Sequence, residues 1–211
     1  VENTNTFCGG TCISLADMRE THDVCREFST PLHLDGARIF NAAAALGTTA
    51  DKIAAHADSV MFCVSKGLGA PVGSLLCGKP DFIRKARDMA KLLGGIMRQS
   101  GVIAAAALVS LDGAYEHAVR DNRSAKLLGA SIVQAHGKLR VDPASVQSNM
   151  VKVFVNETGK NAKEVIADLR NLGVRVGNVD DESFRLVLHC DVTDEEVTRA
   201  AEIIARYSAS L

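Results

Sequence analysis

Two charged residues stand where an α/β chain places its chemistry. Asp35 closes the short stretch His33-Leu34-Asp35, and Lys66 follows the β-prone run Ser59-Val60-Met61-Phe62-Cys63-Val64, with helical sequence between them. If that unit forms a right-handed βαβ crossover, both side chains reach one edge of a parallel sheet, where such folds bind ligands. A lysine between an apolar strand and a glycine-rich loop is poorly solvated, which lowers its pKa and suits it to Schiff-base formation. A carboxylate under a pyridine ring keeps the ring nitrogen protonated, so that the ring accepts electrons from a carbanion. An acid and an amine at neighbouring strand ends are thus the least equipment that pyridoxal phosphate needs from a protein. The same spacing also describes a plain Asp–Lys ion pair capping the sheet edge.

The loop after Lys66 carries Gly67, Gly69 and Gly73, a G-x-G-x-x-x-G spacing that departs from the dinucleotide fingerprint and is followed by a strand rather than a helix. A dehydrogenase is therefore disfavoured, and the loop reads as a tight connection that lets backbone approach a ligand. Lys and Arg number 24 against 25 Asp and Glu, a balance that argues against nucleic-acid binding. The longest apolar run, Val102 to Val109, is too short to cross a bilayer. Six cysteines at 8, 12, 25, 63, 77 and 190 show no C-x-x-C spacing, and no metal site is expected. Cys63, Cys77 and Cys190 lie in apolar runs and read as small buried hydrophobes, in keeping with a reduced, cytoplasmic chain. The opening Val1-Glu2-Asn3-Thr4 has neither a basic start nor an apolar stretch, so no signal peptide is expected, and the missing initiator Met points to a processed or shortened chain.

The elements that would position this pair follow from periodicity. Residues 14 to 29 predict a helix with Ser14 as N-cap, and 32 to 34 predict a strand. Helical sequence runs from 38 to 46 and from 49 to 57, and 59 to 64 predicts a strand buried on both faces. A strand over 74 to 77 and a helix from Pro80 to about Leu93 follow, then an alanine-rich helix from Ser100 to Val119 that continues or restarts to about Lys138. The polar stretch Asp142-Pro143-Ala144-Ser145 marks a boundary. Beyond it come a strand at 150 to 155, a helix at 161 to 172, strands at 174 to 176 and 184 to 189, and a helix at 194 to 207. The expected organisation is an α/β domain over 1–143 with a small α+β domain over 144–211.

Several segments together resemble the low-specificity threonine aldolases, in order and over nearly the whole chain. They are Leu34-Asp35-Gly36-Ala37-Arg38, His56-Ala57-Asp58-Ser59-Val60, the stretch Ser65-Lys66-Gly67-Leu68-Gly69-Ala70-Pro71-Val72-Gly73-Ser74, Leu93-Gly94-Gly95-Ile96-Met97-Arg98-Gln99, and the opening Glu2-Asn3-Thr4 with Gly9-Gly10-Thr11. The resemblance implies a β-eliminating-lyase relative of pyridoxal-phosphate fold type I, with part of an aspartate-aminotransferase-like large domain and a small C-terminal domain. It makes Lys66 the lysine that holds the cofactor as a Schiff base and Asp35 the acid on the pyridine nitrogen. Arg38 matches the arginine near the phenolic oxygen and the substrate carboxylate, and Arg185 matches the small-domain arginine that grips that carboxylate as a bidentate fork. Lys91 and Arg98 match basic residues sent toward the cofactor phosphate, partly from a neighbouring subunit; a solvated helix end is the alternative for both.

The implied reaction is cleavage of a β-hydroxy-α-amino acid, L-threonine or L-allo-threonine, to glycine and acetaldehyde by a homodimer or homotetramer. In these enzymes the phosphate-binding loop and the histidine stacked on the ring precede the segment matched here, so a later portion of such an enzyme is expected. None of the histidines at 22, 33, 56, 117, 136 and 189 matches the stacking role. His22 and His117 read as surface or boundary residues, His33 and His189 as packed. Two other readings remain: a non-catalytic oligomerising portion of such an enzyme, and a related lyase that releases ammonia and a keto acid.

Overall fold

A computed structural model describes residues 1–211. β1 (His33–Asp35) and β2 (Ser59–Cys63) run parallel, with Leu34 opposite Val60 and Asp35 opposite Met61. Between them α2 (Ile39–Leu46) and α3 (Ala50–Ala54) make the crossover, and α2 stops at Gly47, whose left-handed φ of 60° lets its N–H return to the Ala43 carbonyl. β3 (Ser74–Gly78) folds back antiparallel onto β2, Ser74 opposite Cys63. The first residues also join this sheet, which periodicity did not predict. Glu2 bridges Asp35 in parallel, the Asp35 N–H donates to the Val1 carbonyl and the Asn3 N–H to the Asp35 carbonyl.

The apolar seam under this sheet is built by Met18 of α1 (Leu15–Glu27) with Leu34, Ile39, Ala42, Ala43, Ile53 and Val60. Ser14 caps α1 as expected, its hydroxyl oxygen accepting the Asp17 N–H. The opposite side is open. β3 is exposed along its length, and α4 (Pro80–Leu92) and α5 (Gly101–Leu111) bury no residue. Three expectations fail for that reason. Only Ser59 and Val60 of β2 are buried, Cys77 is exposed, and Cys63 is half-covered. Cys190, in the second half of the chain, is half-covered as well. All six cysteines are free. His33 is exposed too, its Nδ1 lying 2.8 Å from Ser59 Oγ on the neighbouring strand.

The expected helix from 100 to 119 is two helices. Asp112 is extended and Gly113 left-handed at φ 71°, so α5 breaks and α6 (Ala114–Gln134) leaves at 64°. No single helix is long and apolar enough to cross a membrane. α6 packs one half against α2 and the other against the second sheet, where Ala125, Leu128 and Ile132 enter that sheet's core. The expected boundary at Asp142-Pro143 falls beyond this shared helix.

The second sheet has the order β4-β6-β5 and is antiparallel throughout: β4 (Met150–Phe154), β5 (Gly177–Asn178) and β6 (Ser183–Val187). Phe184, Val151 and Val153 meet Leu169 of α7 (Ala162–Asn171) and Ile204 of α8 (Asp194–Ser210) in its core. Residues 174 to 176 do not pair as a strand. After Gly173, at φ 90°, the Val174 N–H returns to Leu169 as a helix cap, and pairing begins only at Gly177. Thr193 and Glu196 form a capping box at the start of α8. Thr193→Ala is expected to lower stability by about 1 kcal/mol, read as a lower urea midpoint at unchanged slope.

Candidate functional site

Asp35 sits at the carboxyl end of β1 and is half-buried, its Oδ1 accepting the Ala37 N–H at 3.0 Å. Gly36 ties this turn to the next strand through its N–H on the Met61 carbonyl at 2.7 Å. A Cβ at Gly36 would lie 3.0 Å from that carbonyl oxygen, so a side chain there would push the two strand ends apart. One residue into the next turn, Arg38 runs back toward the N-terminal loop and donates from Nη1 to Thr6 Oγ1 at 3.4 Å. Its Nε is buried and has no hydrogen-bond partner.

Arg38 is electrostatically frustrated. Burial first, and then the positive charge of Arg185, lower its pKa from the ordinary arginine value, while Cys63, Glu2 and Asp35 oppose the shift. Arg185 comes from β6, opposite Lys152, and its side chain lies across Gly177 of β5, where a Cβ would be 3.4 Å from its Nε. Arg38, at the start of α2, and Arg185, on the second sheet, are thus near enough for their charges to act on each other, and Asp35 acts on Arg38 as well. A buried guanidinium N–H with no partner, under the charge of a second arginine, favours an anionic partner.

Lys66 lies just beyond β2 at the same sheet edge. The turn is held by the Gly69 N–H on the Lys66 carbonyl at 3.0 Å and by the Ala70 N–H on the Val64 carbonyl at 2.9 Å. Gly69 has φ 77°, and a Cβ there would overlap Cys190 Sγ. The Lys66 side chain is exposed, which corrects the expectation of a poorly solvated amine: no layer of this chain covers the loop. It makes no ion pair with Asp35, so the plain capping pair is not what the sheet edge contains. Lys91, in the last turn of α4, and Arg98, in the segment before α5, are exposed. The structure thus brings together Asp35, Arg38 and Arg185, with Lys66 on the adjoining loop.

Glu2 and Thr6 were not singled out from the sequence as site residues. Glu2 accepts from the Asn5 side-chain amide and, at 3.3 Å, from the Thr6 N–H, which fixes the loop that Arg38 touches. That loop is clamped to the second sheet at Gly10, at φ 84°, whose carbonyl accepts from Ser148 Oγ at 2.6 Å and where any Cβ would strike Ser148.

The sequence pattern of the family described as beta-eliminating lyase matches residues 1–156. The chain belongs to that family. Its resemblance to low-specificity threonine aldolases, read first in the motifs, holds over the chain. It is 38% identical over 198 residues to low-specificity L-threonine aldolase 1 of Arabidopsis thaliana, covering 93% of this chain and 55% of that protein. Against the low specificity L-threonine aldolase of Escherichia coli strain K12 it is 35% identical over 211 residues, covering all of this chain and 59% of that protein. In fold it overlays the solved threonine aldolase of Leishmania major with a TM-score of 0.77 over 99% of this chain and 60% of that one, at 21% identity. The chain spans little more than half the length of the curated relatives it matches. The family is pyridoxal-phosphate-dependent, and the fold is the α/β arrangement of fold type I.

The residues present fit that cofactor. Asp35 offers an acid at the sheet edge, Lys66 an accessible amine, and the buried unpaired Nε of Arg38 beside Arg185 a demand for an anion.

Proposed function

We propose that this chain carries the cofactor-bearing lysine and the substrate carboxylate clamp of a pyridoxal-phosphate-dependent aldolase that cleaves L-threonine or L-allo-threonine to glycine and acetaldehyde. The buried Arg38 Nε that has no partner, under the charges of Arg185 and Asp35, supports this reading most directly, because an anion such as a carboxylate is what that group lacks. When bound, pyridoxal phosphate supplies an electron sink for the substrate Cα. Asp35 holds a proton at the ring nitrogen. Lys66 Nζ would be the amine that holds the cofactor through its aldehyde, at the edge of the sheet that carries Asp35. Arg38 and Arg185 fix the carboxylate by its two oxygens, which leaves the Cα–Cβ bond as the degree of freedom to be set by rotation. Lys91 and Arg98, exposed here, are assigned to the phosphate of a neighbouring site in a homodimer or homotetramer.

A second reading is favoured by the family's own description: elimination at Cβ, with release of ammonia and a keto acid. One assay separates the two. The chain is incubated with pyridoxal phosphate and L-threonine, and glycine, ammonia and aldehyde are quantified. Glycine and acetaldehyde in equal amounts are expected. Ammonia with a keto acid would replace the aldolase by the eliminating enzyme. No product of either kind would assign the chain a non-catalytic role in the assembled protein.

A further inference from the structure

Beneath the turn that carries Lys66 lies a block of buried polar side chains that the reaction above leaves unused. Asn41 of α2 and Asn122 of α6 bond to each other, Asn41 Nδ2 donating to Asn122 Oδ1 at 3.2 Å and Asn122 Nδ2 to the Asn41 carbonyl at 2.9 Å. Asn149, just before β4, donates from Nδ2 to the Leu188 carbonyl at 2.7 Å, and its backbone carbonyl accepts the Leu188 N–H at 2.9 Å. Asp121 of α6 is 2% exposed. Its Oδ1 takes Arg120 Nη2 at 3.1 Å, and the same nitrogen reaches the His189 carbonyl at 3.3 Å.

Two acceptors in this block lack any donor: Asp121 Oδ2 and Asn149 Oδ1. Both belong to side chains that converge on Gly67, the residue after Lys66. A Cβ at Gly67 would lie 3.5 Å from Asp121 Oδ2, 3.7 Å from Asn41 Oδ1 and 4.0 Å from Asn149 Nδ2. The backbone N–H groups of residues 65 to 68 meet no backbone acceptor. The turn thus has unused donors and the block beneath it unused acceptors, with Asp121 Oδ2 close to Gly67 but bonded to no donor. An unmet buried carboxylate oxygen is costly in a low-dielectric site, so closing that short gap is favourable. The same cost shows in the carboxyl's pKa, which burial raises against the opposing pull of Arg120, His189 and His117.

We propose that Asp121 is a positioning residue for Lys66: its Oδ2 takes an N–H of the 65–68 turn, while Arg120 ties the same carboxylate to the chain just beyond the strand that carries Arg185. One buried acid then sets the amine-bearing turn and the carboxylate clamp in a single frame. The proposal rests on the reading of Lys66 as the cofactor-bearing lysine.

Asp121→Asn preserves shape and leaves Arg120 its acceptor, but turns an NH2 instead of an oxygen toward the turn. Gly67→Ala leaves the block intact and places a methyl group 3.5 Å from Asp121 Oδ2, filling the space across which the turn would close onto that oxygen, which covers the case in which the first variant does not fold. In the full chain, amide hydrogen exchange is followed at residues 65 to 68, with β2 and α7 as internal references. Borohydride trapping of pyridoxal phosphate at saturation is followed at Lys66, with the exposed Lys163 as reference. In both variants exchange at 65 to 68 is expected to rise about tenfold, with the references unchanged, as for loss of one hydrogen bond to a charged acceptor. The ratio of Lys66 to Lys163 labelling is expected to fall about tenfold for the same lost bond. Unchanged exchange overturns the contact. Faster exchange with an unchanged labelling ratio leaves Asp121 a merely structural acid and overturns its positioning role. A parent chain that labels Lys66 no faster than Lys163 overturns the Lys66 reading and the positioning role with it, while the exchange comparison still decides the contact.

Discussion

Lys66→Ala is expected to leave the fold intact and to remove glycine release from threonine, by a factor on the order of 10⁴ or more in kcat, the scale of loss when a covalent catalytic group is deleted. The fold is spared because the side chain is exposed and the turn is closed by backbone bonds, Gly69 to Lys66 and Ala70 to Val64, that alanine keeps. Borohydride trapping followed by peptide mapping should find the cofactor on residue 66 in the parent and not in the variant. Lys66→Arg is the sharper companion. It preserves the positive charge but has no amine that condenses with an aldehyde, so a purely electrostatic role would survive it and a covalent role would not. Equal loss in both variants supports the covalent reading; retention of turnover in Lys66→Arg would overturn it.

What could be read from the chain was what is local in it. Asp35 and Lys66 each follow a β-prone run directly, so their place at one sheet edge needs only the parallel pairing of β1 with β2. Arg185 became a candidate only through the resemblance, because Arg38 lies in the turn after β1 while Arg185 is on a strand of the second sheet, and no periodicity links them. Asp121 was unmarked for a similar reason. In the sequence it is one polar residue of a helix, and what makes it notable is its burial near Gly67, a residue distant in the chain. The alanine-rich periodicity from Ser100 to Val119 hides the break at Asp112-Gly113, where the left-handed Gly113 separates α5 from α6. The Val174-Arg175-Val176 alternation looked like a strand, yet Gly173 turns that segment back as a helix cap. Burial was misjudged at β2, Cys77 and His33, because apolarity reports what a strand can bury and not what is packed over it.

Arg38→Met is expected to make the unliganded chain more stable while costing it substrate, and the two signs together separate function from structure. In the free chain Arg38 places a buried Nε with no partner next to the charge of Arg185, and its one hydrogen bond, to Thr6 Oγ1, is long at 3.4 Å. An unmet buried donor costs about 1–3 kcal/mol, and methionine fills much of the same volume without one. Against this stand the lost attractions to Glu2 and Asp35, so a net gain of about 1 kcal/mol is expected, read as a higher urea midpoint at unchanged slope. Binding moves the other way. Removing one member of a desolvated charge pair costs about 2–5 kcal/mol, which raises the KM for threonine by roughly two to three orders of magnitude. Arg38→Lys should restore little of that affinity, because a point charge does not reproduce the planar fork that meets both carboxylate oxygens. A variant that is destabilised and binds threonine as before would make Arg38 a structural residue. The expected opposite movement is the mark of a site whose strain is relieved by the anion it was built to receive.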